Sequence, residues 1–292
     1  MAASERDLPP GIAARTLRAD DLQSALALSQ EAGWNQNAAD WCIFLELGRV
    51  TGLTRNDGRL VATAATLPHG GAFGWISMVL VTESARRRGL ARWLLRRATD
   101  DLIAEKLVPV LDATPAGRMV YVGLGFQDCW AMRRLVARSV KAPDMPDIDV
   151  TIRPIRSEDW RAIGELDAAV FGADRSEVLH RLALRLPGAA LIAEATGRIA
   201  GYLLGRDGRS MNQLGPLVAD NEKVAIALLS RAIAAVPAPL TIDLPDRHTA
   251  IGEWLATLGF AAERPLTRMI YGRSTAFDDG ARLFAIAGPE LG

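Results

Sequence analysis

Val79-Leu-Val-Thr-Glu-Ser-Ala-Arg-Arg-Arg-Gly-Leu-Ala91 is the stretch on which the reading of this chain turns. The apolar run from Gly74 to Val81 has strand character and stops at Val81. A loop follows, holding Arg86, Arg87, Arg88 and Gly89. From Gly89 to Lys106 an amphipathic helix is expected, with Leu90, Trp93, Leu94, Ala98, Leu102 and Ile103 on one face. The first turn of a helix has N–H groups without intrahelical acceptors and carries the positive end of the dipole. Gly89 admits close backbone approach, Ala91 avoids crowding, and three arginines add positive charge. Such a step suits a diphosphate-type anion. Gly-Lys-Ser/Thr and Gly-x-Gly-x-x-Gly are both missing here, so it is neither a Walker loop nor a dinucleotide fingerprint.

Working outward, Gly52-Leu-Thr-Arg55 and Leu60 to Thr66 read as strands upstream. Downstream, Val108 to Asp112 reads as a buried strand, and Arg118 to Leu124 as a short helix ended by Gly125. The chain then repeats itself. Arg15-Thr-Leu-Arg-Ala-Asp-Asp-Leu22 echoes Arg153-Pro-Ile-Arg-Ser-Glu-Asp-Trp160; Asp57-Gly-Arg-Leu echoes Thr196-Gly-Arg-Ile; Leu124-Gly-Phe126 echoes Leu258-Gly-Phe260. The three pairs keep one order at nearly one spacing, which argues for duplication. Lys141-Ala-Pro-Asp-Met-Pro-Asp-Ile-Asp149 has linker composition. The expected organisation is a domain over 1–140, a linker over 141–149 and a second domain over 150–292, each long enough for its own core. The fold class is α/β (α+β): a mixed, largely antiparallel sheet flanked by helices, built twice.

Composition narrows the function. The 292 residues balance 34 Lys+Arg against 34 Asp+Glu, for a formal net charge of +0. That disfavours a basic nucleic-acid binder and a disordered chain. No apolar run is long enough to span a membrane, and the polar Met1 to Pro10 segment lacks a secretory core. Cys42 and Cys129 cannot build a disulfide framework, which fits a cytoplasmic setting. His69, His180 and His248 lie far apart with no metal-ligand spacing, so no metal is expected.

Arg86-x-x-Gly89-x-Ala91, after a strand ending at Val81, resembles the coenzyme A pyrophosphate loop of the GCN5-related N-acetyltransferases (GNAT). Tyr121-x-x-x-Gly125-Phe126, one strand and one helix downstream, strengthens the likeness. Gly33-Trp-Asn-Gln36, Asp40-Trp41 and Leu111-Asp-Ala-Thr-Pro-Ala-Gly117 resemble a tandem subgroup of that family, and the likeness runs through the Ala285–Gly292 tail. The resemblance implies direct transfer of an acetyl group from acetyl-CoA to a primary amine, with a small molecule as the acceptor. It implies a cofactor site at Val79, Leu80, Val81, Arg86, Arg87, Arg88, Gly89, Leu90, Ala91 and Thr114. Tyr121 is the implied proton donor to the departing thiolate. Trp34, Asn35, Asp40 and Trp41 are expected to wall the acceptor, since an amine rests well on aromatic faces. Asp40, Asp112 and His69 are conceivable bases. The plain alternatives are a solvated arginine cluster, a Tyr121 that only packs on Phe126, and tryptophans that only fill a core.

Aligning Val81 with Val218 sets Arg86 on Lys223, Gly89 on Ile226 and Ala91 on Leu228; the other end sets Tyr121 on Leu255. On that alignment branched side chains obstruct the second phosphate loop. The second domain is expected to be degenerate, supporting the first or walling its acceptor pocket. The rival readings are a coenzyme A or metabolite sensor without turnover, and an arginine-based nucleic-acid scaffold. A monomer or a homodimer fits equally.

Overall fold

The computed structural model describes residues 5–292; the leading Met1 to Ser4 of the polar segment lie outside the described residues. The first half contains β1 Ile12–Thr16, α1 Leu22–Glu31, α2 Ala38–Leu47, β2 Arg49–Arg55, β3 Leu60–His69 and β4 Phe73–Val81. It continues through α3 Leu90–Ala104, β5 Val108–Ala113, α4 Pro115–Val122 and β6 Phe126–Ala137. The second half runs β7 Thr151–Pro154, α5 Trp160–Phe171, α6 Ser176–Ala183, β8 Leu191–Ala195, β9 Arg198–Arg206 and β10 Asn212–Ala219. It ends with α7 Glu222–Ala235, β11 Leu240–Pro245, α8 Thr249–Thr257, β12 Ala261–Tyr271 and a short β13 Leu283–Ala285. No regular element falls between Ala137 and Thr151, which includes the linker-like segment.

The repeats share local chemistry. Arg15 donates two bonds to Asp21 (2.8 and 2.6 Å), and Arg153 donates two to Asp159 (2.7 and 2.9 Å). Each aspartate also accepts the backbone N–H three residues earlier, at Arg18 and Arg156, closing the turn into the first helix. Gly58 and Gly197 hold left-handed φ of +81° and +78° at the matching hairpin turns, and Gly125 and Gly259 hold +99° and +104° before the last strands. The short helix α4 starts earlier than its apolar pattern predicts. Thr114 caps it, accepting the Gly117 N–H at 3.2 Å, and Pro115 opens it at no hydrogen-bond cost.

The strands form one sheet, in the order β1-β2-β3-β4-β5-β12-β6-β11-β10-β9-β8-β7, with β13 on β10. Each half therefore surrenders its last long strand to the other. Antiparallel β12, from the second half, pairs with β5, and β6, from the first, pairs with β11. The two exchanged strands pair with each other between them. The expectation of one core per half gives way accordingly. The largest apolar cluster joins Trp41, Phe44 and Trp75 to Phe171, Tyr202 and Leu266, and a second joins Leu135 and Ala137 to the α7 face. Buried ion pairs cross the seam: Arg134 on β6 binds Asp243 on β11 (2.8 and 2.7 Å), and Arg268 on β12 binds Asp112 on β5 (3.0 Å twice). Among the described residues no helix is long and apolar enough to cross a membrane, and no group of His, Cys, Asp and Glu could hold a metal ion. Cys42 and Cys129 are unpaired and partly buried.

Candidate active site

β4 is paired on only part of its length. Its parallel contact with β5 covers Phe73 to Trp75, and beyond that the two strands separate. On its other edge, the β3 register shifts between Thr63 and Ala65, opposite Leu80 and Ser77, which marks a bulge at Met78–Val79. Met78 takes a left-handed φ of +51°, and its carbonyl accepts the Thr63 hydroxyl at 2.9 Å. The wedge thus leaves main-chain groups of β4 facing an opening rather than a neighbouring strand.

The wedge runs into a groove of about 670 Å³ at the start of α3, lined among others by Trp34, Val79, Leu80, Val81, Arg86, Arg87, Gly89, Leu90 and Ala91. The loop is pinned at its start by Glu31, whose carboxylate accepts the Glu83 N–H (2.7 Å) and the Thr82 hydroxyl (2.9 and 2.8 Å). The Glu83 N–H bond first, then the Thr82 hydroxyl, hold the Glu31 carboxyl below the usual carboxylate range. Arg86 donates from Nε to the Val81 carbonyl at 3.3 Å, tying loop to strand. Gly89 is the N-cap of α3, with φ of +80° and no side-chain cap on the first turn. A β-carbon built there would meet nothing within 4 Å, so glycine serves the backbone conformation and leaves the helix opening clear.

A second cavity, of about 260 Å³, adjoins this groove, and Trp34 and Val79 line both. Tyr121 and Thr114 line it from the first half; Met211, Arg264, Leu266 and Glu290 line it from the second. Burial raises the pKa of the Tyr121 phenol above its ordinary value, so it stays protonated. A β-carbon at Gly117 would crowd the phenol at 3.0 Å, inside ordinary van der Waals contact, and the ring packs near Phe126 at 6.3 Å between centroids.

The structure does not gather every expected residue here. Trp41 is fully buried in the core, its indole N–H donated to the Ser29 hydroxyl at 3.1 Å, and it lines neither space. Asp40 is buried beside Arg185 and Arg206. Burial alone would push its carboxyl up, but the two guanidiniums outweigh that and hold it below its ordinary value. Asn35 reaches the cavity, but its amide is spent on the second half: it donates to the Met211 carbonyl (2.9 Å) and accepts from Ser210 and Met211 N–H (2.9 and 3.1 Å). Gly208 permits that clasp, since a β-carbon there would sit 2.1 Å from the Asn35 amide. Arg88 points away from the groove, to an exposed recess beside Pro10 and Asn56. Thr114 lies in the second cavity, not the groove.

The conceivable bases fare similarly. His69 sits in an aromatic nest with Phe171, Phe73 and Trp75 at 5.2, 5.7 and 6.3 Å; burial lowers its pKa to about 3, and it lines neither space. Asp112 does line the cavity, but both its oxygens are held by Arg268; burial, the largest influence, pushes its pKa up. The wall residues Glu263, Arg264 and Glu290 are absent from the sequence reading. They come from the second half: the exchanged strand β12 carries Glu263 and Arg264 here, and the tail beyond β13 carries Glu290.

The helix opening is not repeated. The Val81–Val218 alignment fails in three dimensions because β10 ends at Ala219 and α7 begins at Glu222. Only Asp220 and Asn221 separate them, where Thr82 to Gly89 intervene in the first half. The phosphate-type loop is deleted, not obstructed by Ile226. Asn221 also caps α7, accepting the Val224 N–H at 3.1 Å, and Glu222 adds negative charge to the first turn. At the other motif the alignment holds: Leu255, buried in α8, stands in the turn that Tyr121 occupies in α4.

Known proteins agree with this architecture. The acetyltransferase (GNAT) family model matches residues 18–126, and an acetyltransferase (GNAT) domain model matches 163–285. An uncharacterized N-acetyltransferase of Bacillus subtilis (strain 168), YitH, is 25% identical over 94% of this chain and 97% of its own length. Among solved structures, a Pyrococcus horikoshii protein provisionally described as an acetyltransferase superposes with a TM-score of 0.79 at 21% identity, covering 97% of both chains. A GCN5-related N-acetyltransferase from Sphaerobacter thermophilus gives 0.64 at 18% identity, over 94% of this chain and 99% of its own. Those two likenesses establish the fold, and the family models reach into both halves. The chain belongs to the GNAT acetyltransferase family and carries two of its domains in tandem.

Proposed function

We propose that this chain transfers an acetyl group from acetyl-CoA directly to a primary amine of a small molecule, working as a cytoplasmic enzyme. The single observation that carries the proposal is the meeting of groove and cavity at Trp34 and Val79, with Tyr121 in the cavity wall. Two units, 1–140 and 150–292 joined by 141–149, divide the labour: the first holds the donor and the second closes the acceptor cavity.

The residues fit the donor. The uncapped first turn of α3, with Arg86 and Arg87 beside it, suits a pyrophosphate. The unpaired edge of β4 offers N–H groups to the amide-bearing arm. Bound acetyl-CoA supplies the acetyl group as a thioester, whose C–S bond breaks as the N–C bond of the product forms. N–H groups near the Met78–Val79 bulge polarise the thioester carbonyl as preorganised dipoles. Tyr121 gives its proton to the departing sulfur and regains one from the proton that the amine sheds. Positioning supplies much of the remaining gain.

Isothermal titration with acetyl-CoA, paired with thiol release across an amine panel, tests the reading. Binding together with amine-dependent release is the expected outcome. Binding without release on any amine would favour the sensor instead.

A further inference from the structure

The cavity wall holds five charged residues: Asp112, Arg134, Glu263, Arg264 and Glu290. Three are committed within the chain. Asp112 accepts from Arg268, Arg134 donates to Asp243, and Glu290 accepts from Arg206 and Gln36. Glu263 and Arg264 have no ion pair among the described residues, and the Nε of Arg264 is buried without a partner. Successive side chains of a regular strand face opposite ways. Here Ala262 pairs with Leu135 and Arg264 with Arg134, so Glu263 is an extra residue bulged out of β12. The bulge brings both side chains to one cavity. Burial first, then the neighbouring Arg134 guanidinium, press the Arg264 pKa down. A guanidinium in that position is stabilised by an anion that arrives with the ligand.

Resting on the acetyl-transfer reading above, we infer that the acceptor is an amino acid in chemical class: its carboxylate pairs with Arg264 and its ammonium with Glu263. The volume, about 260 Å³, suits a ligand of that size. Charge favours it over an amine bearing a phosphate. Arg268, Asp243 and Arg206 neutralise the three committed wall residues, which leaves Glu263 and Arg264 as one negative and one positive group; a zwitterion matches that pair, whereas a dianion sets a second negative charge against Glu263.

The test titrates the full chain, saturated with coenzyme A, with the common amino acids, their carboxamides and their decarboxylated amines. At least one amino acid should bind about tenfold or more tightly than both of its relatives, the loss expected for a missing charge-assisted pair. Arg264→Gln should erase that preference with coenzyme A affinity unchanged, Arg264→Lys should restore part of it, and Glu263→Gln should weaken acids and amines alike. Amides or amines that bind as well as the acids, a preference that survives Arg264→Gln, or no binding by any member would each overturn the inference. An intact acid preference without thiol release on any amine would overturn the transfer reading and leave this assignment standing.

Discussion

Tyr121 combines access to the cavity with a pKa raised by burial, so its proton is retained to higher pH than a free phenol's, ordinarily 10.0. In its proposed role as the acid, it should not limit the rate on the alkaline side until the pH passes about 10. A pH profile of kcat should therefore hold or rise up to that point, and Tyr121→Phe should lower kcat about a hundredfold or more at unchanged acetyl-CoA Kd. A decline of kcat centred near neutrality would assign the proton elsewhere. His69 makes a different prediction. Its folded pKa of about 3 lies below the ordinary 6.5, so below pH 6.5 the unfolded chain takes up a proton that the folded one refuses. The stability linked to it is full above pH 6.5 and drains as the pH falls toward about 3, by about 1.4 kcal/mol per pH unit. His69→Leu should flatten that slope in urea unfolding followed from neutral to acid pH. Tyr121, Trp34 and Gly89 were legible because local motif spacing places them. Glu263 and Arg264 were not, because a bulge in a strand lent by the other half aims them, and no periodicity announces it. Trp41 shows the opposite error: an aromatic beside a polar motif that proves to be core.

At the scale of elements, α3 and α7 are the same helix with different openings. One begins on a glycine with a free first turn after an eight-residue loop, from Thr82 to Gly89; the other begins on a capping asparagine directly behind its strand. Gly89→Leu should cost about 1–2 kcal/mol in thermal unfolding, from the left-handed backbone alone, and at least about tenfold in coenzyme A affinity by titration. Unchanged affinity would move the phosphate site elsewhere. The strand, loop and helix from Phe73 to Ala104 matched their sequence signals because apolar periodicity changes sharply at Val81 and again at Leu90. The second opening was misread because a constant spacing between the repeats was carried across a deletion. Only the flanking landmarks, Gly197 and Gly259, keep register on either side of it.

Across the whole molecule, the exchanged strands make two domains in sequence into one sheet in space. Polypeptides 1–140 and 150–292 produced separately should each fail to give a cooperative unfolding transition, and mixing them during refolding should recover one. A sharp transition from either alone would mean that the strands can pair within their own half. Asp243→Ala should destabilise the whole chain by about 3–5 kcal/mol, because it leaves the Arg134 guanidinium buried without its partner. Calorimetry should show one lowered transition, not a lowered half. None of this exchange was readable beforehand. Repetition, hairpin turns and strand character are local properties, whereas the identity of a strand's neighbour is set by contacts between residues as distant as Met132 and Leu266.

The exchange also sets a schedule for the newborn chain. β5 leaves the ribosome with a bare edge that β12 fills, and residues 114–260 must be made first. At about 5–20 residues per second that is a wait of roughly 7–29 seconds. Throughout it the nascent protein carries an incomplete first half with an open strand edge, so its yield in a cell will depend on how well that edge is shielded until translation is nearly done.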